Sequence, residues 1–126
     1  MLLDSVKPEP LVLDVRSHTE YAVSHIKTAV HIDAFTPDLA ALSIVSKDRV
    51  IIVYCAVGYR SAKLAQQMDE AGMKCIYNLN GGIFQWANEG RTIFKDEHPT
   101  QLVHPYNRIW GKLLKASFHF DLCSRI

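Results

Sequence analysis

The sequence predicts a three-layer α/β domain with a mostly parallel central sheet flanked by helices. A β-branched apolar run, Val50 to Tyr54, and a second run, Leu11 to Val15, apolar but for Asp14, lack the alternation of a half-buried strand. They read as strands covered on both faces, the habit of parallel sheets. Helical patterns alternate with the apolar runs along the chain, and no repeat interrupts the alternation, which is the order of a parallel sheet joined by helical crossovers. The chain has 126 residues, 48% of them hydrophobic, enough for one domain with a real core.

The elements follow in order. Met1 to Pro10 is a brief lead-in carrying Pro8 and Pro10, with Leu2 and Leu3 as a candidate edge strand. Leu11 to Val15 is the first buried strand. Ser17, His18, Thr19 and Glu20 form a capping box, in which the hydroxyl takes an orphan N–H and Glu20 reaches back. The helix it starts is short, because Ala29 to Ile32 reads as the next strand. Thr36, Pro37 and Asp38 open a second helix, as cap, first-turn proline and dipole-matched acid. Leu39, Leu42, Ile44 and Val45 make its apolar face, and Ser46 to Asp48 end it. Val50 to Tyr54 is the central strand. Ser61 to Ala71 is helical with Ala62, Leu64, Ala65 and Met68 facing inward, and Gly72 suits the position after its C-cap. Cys75 to Leu79 reads as the last strand. Gly81 and Gly82 then turn into a short helix, Ile83 to Glu89, stopped by Gly90, with Trp86 as a core anchor.

The chemistry gathers between the central strand and the helix after it. Cys55 stands at the strand's carboxyl end, the edge where open α/β sheets bind ligands. From Cys55 to Ser61 the loop has one glycine, no proline and no acid, so every residue keeps a backbone N–H. Curled around the sulfur, with Gly58 supplying the tight turn, those N–H groups make an anion-binding nest backed by the positive end of the following helix. A cysteine so placed is lowered in pKa and reactive as the thiolate. Arg60 adds a permanent charge. Asp14 and Arg16 end the first strand near the same edge. They suit either direct chemistry or an ion pair that braces the Cys55 loop, and the bracing pair is the simpler requirement. His25 reads as hydrogen-bonded scaffolding.

Three motifs carry a resemblance. Cys55-x-x-Gly58-x-Arg60-Ser61 resembles the active-site loop of the rhodanese family of sulfurtransferases. Asp14, Arg16, Glu20, Tyr21, His25, Ile26, Ala29 and Ile32 resemble that family's amino-terminal signature, with Ser24 and Thr28 where glycines are usual. Gly81, Gly82, Ile83, Trp86 and Gly90 resemble its carboxy-terminal signature, with Thr92 where proline is common. The resemblance spans Leu11 to Gly90. It implies a rhodanese-like fold and transfer of sulfane sulfur from thiosulfate or a related donor, through a persulfide on Cys55, to a thiol or cyanide. In that reading Cys55 is the nucleophile. Ala56, Val57, Gly58, Tyr59, Arg60 and Ser61 bind substrate, with Val57 and Tyr59 at the rim, and Asp14 and Arg16 support. No metal or organic cofactor is implied. The implied partners are a small anionic donor and a thiol acceptor, with a protein sulfur acceptor as a further class.

Two rival readings belong to other classes. Cysteine phosphatases place five residues between Cys and Arg to cradle a tetrahedral oxyanion. Here four stand between Cys55 and Arg60, a smaller loop that suits one sulfur atom. The second rival is a persulfide carrier or regulatory binding module acting with a protein partner. The formal net charge of +1 gives no push toward nucleic acid. Cys55, Cys75 and Cys123 are far apart and the six histidines scattered, so neither a disulfide framework nor a metal site is expected, and Cys75 is read as a small apolar strand residue. No basic lead followed by a long apolar run suggests a signal peptide or span, and a reducing cytoplasmic setting fits.

We divide the chain into a domain at 1–95 and a C-terminal extension at 96–126, with Lys95 to Pro99 as connector. Within the extension, Tyr106 to Phe118 is amphipathic. Ile109, Trp110, Leu113, Leu114 and Phe118 share one side, and Arg108, Lys112 and Lys115 line the other. Such a helix suits docking on its own domain or on a second copy, which makes a homodimer through this helix one expectation. A membrane surface is the alternative.

Overall fold

A computed structural model describes residues 10–33, 37–40, 42, 49–73, 75–106 and 113–114. Its elements are β1 (Leu11–Asp14), α1 (His18–Val23), β2 (Val30–His31), β3 (Ile51–Tyr54), α2 (Tyr59–Glu70), β4 (Ile76–Asn78), α3 (Gly82–Asn88), β5 (Ile93–Lys95) and β6 (His98–Thr100). The sheet order is β2-β1-β3-β4, every pair parallel, and β5 and β6 form a separate antiparallel hairpin. The mixed α/β architecture with a parallel central sheet is the one the sequence predicts.

The unalternating apolar runs have the reason expected of them. Along β3, Ile51 and Val53 pack on one face with Leu13, Val15, Leu64, Met68 and Leu42. Tyr54 points to the other face, among Val12, Ile26, Ile83 and Phe84. All four β3 residues are buried because both faces are covered. The register sets Leu13 beside Val53 and Val53 beside Asn78, so Asp14, Cys55 and Asn78 arrive at one sheet edge.

Helix ends follow the local chemistry. Ser17 and Glu20 form the reciprocal capping box at α1. After α2, Met73 N–H donates to the Met68 carbonyl and Gly72 N–H to that of Asp69, with Gly72 at φ +93°. These are the paired bonds of a Schellman ending. α3 ends the same way at Gly90, through Gly90 to Ala87 and Arg91 to Trp86.

Several expectations need correction. Lys95 to Pro99 is not a connector but the heart of a hairpin, whose two-residue turn puts Asp96 and Glu97 at φ +48° and +69°. Both central residues have positive φ, as a type I′ turn requires, and neither is the glycine or asparagine that would announce it. The boundary drawn after residue 95 therefore cuts this turn. Cys75 is exposed, at φ +57°, and precedes β4 rather than packing within it. β4 is an edge of the sheet among the described residues, which leaves Tyr77 exposed. Trp86 is half-buried: it packs against the core while its Nε1–H donates to the Thr92 carbonyl at 3.0 Å. Ala62 faces solvent, and Ser61 takes the inward position. Thr28 sits at φ +67°, a conformation a glycine would take without strain.

The second helix is seen only at residues 39, 40 and 42, with Leu42 buried and its N–H on the Asp38 carbonyl. Its cap Thr36 and residues 43–48 lie outside the described residues, as do Leu2, Leu3, Cys123 and most of the predicted helix from 106 to 118. Of the extension, Val103 and Leu114 are buried in the same core cluster as Ile83 and Phe84. The Leu113 carbonyl accepts from Asn88 at 2.9 Å. These described parts dock on the chain's own domain.

Candidate functional site

Cys55 follows β3, and the loop after it curls back over the sulfur. Gly58 takes φ +111° as the N-cap of α2 with no side chain to cap the helix, so its own N–H turns to Cys55 Sγ at 3.1 Å. Ser61 Oγ lies 3.5 Å from the same sulfur. Burial alone raises the Cys55 pKa. The Ser61 hydroxyl and the N–H groups of Ser61, Gly58 and Val57 outweigh burial and bring it below the ordinary thiol range. The Gly58 and Ser61 N–H groups stand at the start of α2, where they have no partner inside the helix.

A second helix start holds the loop from behind. Ile83 N–H donates to the Cys55 carbonyl at 2.9 Å and Phe84 N–H to that of Ala56 at 3.0 Å. With both carbonyls turned toward α3, the N–H groups that follow are free to face the sulfur. This approach needs glycine: a Cβ on Gly82 would stand 2.4 Å from the Cys55 carbonyl oxygen and 2.5 Å from that of Ala56. The Gly81–Gly82 pair is thus part of the cysteine site.

Asp14 and Arg16 form the bracing pair. Arg16 Nη2 lies 2.6 Å from Asp14 Oδ2 with both side chains fully buried, and it also donates to the Ser24 carbonyl at 2.6 Å. Burial would lower the Arg16 pKa, but Asp14 reverses this and the guanidinium stays charged. Tyr54, the residue before Cys55, donates its hydroxyl to Asp14 Oδ2 at 2.7 Å and accepts the Ile26 N–H at 3.0 Å. The pair acts on the loop through Tyr54. His25 is scaffolding: Nδ1–H donates to the Tyr21 carbonyl, and its backbone exchanges both bonds with Phe94.

Arg60 stands differently from the sequence expectation. Its two terminal nitrogens bond Glu20 at 2.7 and 2.9 Å, and its guanidinium carbon lies 4.1 Å from the centre of the Tyr106 ring. Its charge is shared with Glu20 rather than held open for an anion. The sequence reading placed Glu20 in the capping box and in the amino-terminal signature, but not against Arg60. The carboxylate, whose side chain is 2% exposed, joins that box to Arg60 across 40 positions. Asn78 was not singled out at all. Its Oδ1 accepts from Ser61 Oγ at 2.6 Å and its Nδ2 donates to the Gly58 carbonyl at 3.0 Å. Val57 is half-buried and Tyr59 61% exposed.

The Glu20 contacts give a pH prediction. Burial raises its pKa, but the bonds and charge of Arg60, with the Ser17 N–H and the charge of Arg16, hold it below the usual carboxylate range. A lowered folded pKa adds stability above the unfolded value, about 4.3. That stability is lost as pH falls through the folded pKa. Denaturant titrations from pH 6 down to pH 3 should show this loss. Glu20→Gln should be less stable than the wild type at pH 6 and should show a shallower acid slope. An unchanged slope would mean that other carboxylates set it.

A cavity of about 400 Å³ opens away from the loop, between the end of α3 and the hairpin. Ala87, Gly90, Ile93 and Pro99 help line it, and no residue of the Cys55 loop does.

The rhodanese-like domain family matches residues 2–89. A curated relative from Photorhabdus laumondii, a tRNA uridine(34) hydroxylase, is 34% identical over 89 residues, which cover 67% of this chain and 25% of that protein. Proteins of the same name from Escherichia coli are 33% identical over the same length. The chain therefore spans about a quarter of the length of the curated relatives it matches. Among solved structures, a Bacillus halodurans protein superposes with a TM-score of 0.67 at 27% identity, covering 82% of this chain and 75% of that one. A rhodanese-like domain protein from Staphylococcus aureus gives 0.61 at 29% identity, covering 73% and 85%. No helix among the described residues is long and apolar enough to cross a membrane.

Proposed function

This chain belongs to the rhodanese-like domain family, and on that footing we propose that it is a sulfurtransferase working through a persulfide on Cys55. One observation carries the reading: a thiol with a lowered pKa, buried under N–H and hydroxyl donors that have no other anion to hold. In the first step the Cys55 thiolate attacks the outer sulfur of thiosulfate. The bond between the two donor sulfurs breaks, its electron pair leaves with sulfite, and Cys55 carries a terminal anionic sulfur. In the second step cyanide or a thiolate attacks that outer sulfur. The sulfur–sulfur bond to Cys55 breaks, and the thiolate returns with its electron pair. The nest stabilises the anion in both resting states. Ala56 to Ser61 bind the donor mainly through backbone groups. Arg60 contributes a charge tempered by Glu20, and Asp14 and Arg16 hold the strand end.

A second reading is a persulfide carrier or regulatory module that works with a protein partner. It draws on the curated relatives, in which the matched region is a quarter of a longer protein that acts on tRNA. In this reading sulfur is loaded or removed only with the partner present.

Intact mass after incubation with thiosulfate, before and after cyanide, separates the two. The sulfurtransferase reading expects a gain of about 32 Da, one sulfur, on Cys55, removed by cyanide as the activated thiolate is regenerated. No adduct with small donors would overturn it in favour of the partner-dependent module.

A further inference from the structure

Asn78 is an exposed residue bonded to Ser61 and Gly58 that neither the motifs nor the proposed reaction uses. It joins two arms of the nest. Its amide orientation is settled by its neighbours: the Gly58 carbonyl can only accept, so Nδ2 faces it at 3.0 Å and Oδ1 faces Ser61 at 2.6 Å. Ser61 is fully buried and has one hydroxyl proton for two acceptors, Asn78 Oδ1 at 2.6 Å and Cys55 Sγ at 3.5 Å. The shorter bond goes to Asn78. With a neutral thiol the arrangement is complete, because S–H can donate to Ser61 Oγ while the hydroxyl donates to Asn78. When Sγ carries charge, the same proton is wanted on the sulfur, and Asn78 must release it.

We propose that Asn78 is a positioning residue for Cys55: it holds the Ser61 hydroxyl proton while Sγ is neutral and yields it when Sγ is charged. This deepens the persulfide reading and rests on it for its meaning. In the persulfide the negative charge sits on the outer sulfur and Sγ is a neutral divalent atom, so the hydroxyl returns to Asn78. Asn78 thus favours the loaded state over the free thiolate. It keeps the thiolate more basic, and so more nucleophilic, than Ser61 alone would leave it. The fold supplies the residue by register, since β4 sets Asn78 beside the position two before Cys55.

The test is a double-variant cycle read by alkylation, which needs no turnover. The rate of Cys55 carbamidomethylation by iodoacetamide is followed against pH by intact mass, with Cys75 and Cys123 replaced by serine. Asn78→Ala should lower the apparent thiol pKa relative to the parent, because the hydroxyl is now free for the thiolate. Ser61→Ala should raise it. In the Ser61→Ala background, Asn78→Ala should lose its lowering effect, a coupling of about half a pH unit or more. Asn78→Leu, nearer in volume, repeats the measurement should the alanine variant unfold. Additive shifts would overturn the proposal and leave Asn78 only as a tie on Gly58. If coupling is found but thiosulfate leaves no adduct, the proton exchange stands and the sulfurtransferase reading falls.

Discussion

Replacing Cys55 with serine should abolish sulfur transfer while leaving the fold in place. A serine hydroxyl is not ionised at neutral pH and forms no persulfide, so turnover with thiosulfate and cyanide should fall by about 10³-fold or more, and the one-sulfur mass gain should vanish. The fold should survive because the exchange is close in volume and the site already offers hydrogen bonds. Gly58 N–H and Ser61 Oγ can both reach an oxygen placed near Sγ. A cost of about 1 kcal/mol from the polar atom is expected, since Cys55 also packs with Val53, Leu64 and Met68. Thermal melts and the mass adduct together decide the outcome. Transfer retained in a folded Cys55→Ser protein would place the chemistry elsewhere. A protein that no longer folds would be answered with Cys55→Ala, which removes the sulfur without adding a polar group.

What could be read from the sequence was local or periodic. A β-branched run ending in cysteine and followed by a donor-rich loop declares a strand, an edge and a nest, because each feature depends on neighbours a few positions away. The capping box at Ser17 and Glu20 and the glycine endings at Gly72 and Gly90 are local in the same sense. What could not be read was held by distant partners or by backbone conformations that the residue type does not announce. Glu20 and Arg60 meet across 40 positions, and Asn78 meets Ser61 across 17. The hairpin turn at Asp96 and Glu97 has left-handed residues without glycine, so it resembles a solvated charged link. The contribution of Val103 and Leu114 to the core appears only when the chain has folded back. Gly82 is an intermediate case. The sequence declares a tight turn, and only the structure shows that the missing Cβ makes room for the Cys55 and Ala56 carbonyls.

The bracing pair leads to the largest stability effect expected of a single substitution. Asp14→Asn keeps the shape but removes the charge facing Arg16. The guanidinium would then be left in a fully buried site without a counter-charge, held by the Ser24 carbonyl and one amide oxygen, and Arg16 Nη1 already has no hydrogen-bond partner. Tyr54 would at the same time trade a carboxylate acceptor for an amide. Breaking one side of a buried ion pair costs about 3–5 kcal/mol. That is a large share of the roughly 5–15 kcal/mol that holds an ordinary domain together. Urea unfolding should therefore show a much lower midpoint, and the alkylation rate of Cys55 should shift as Tyr54 loosens the strand end. The argument rests on an unpaired charge rather than on a valuable bond, and a double variant tests that distinction. Asp14→Leu with Arg16→Met removes both charges and fills the site with apolar volume. It should be more stable than Asp14→Asn despite carrying two changes, because no buried charge is left uncompensated. If the double variant is instead the less stable of the two, the pair contributes through its specific hydrogen bonds to Tyr54 and Ser24, and the bracing of the Cys55 loop depends on those contacts rather than on charge neutrality.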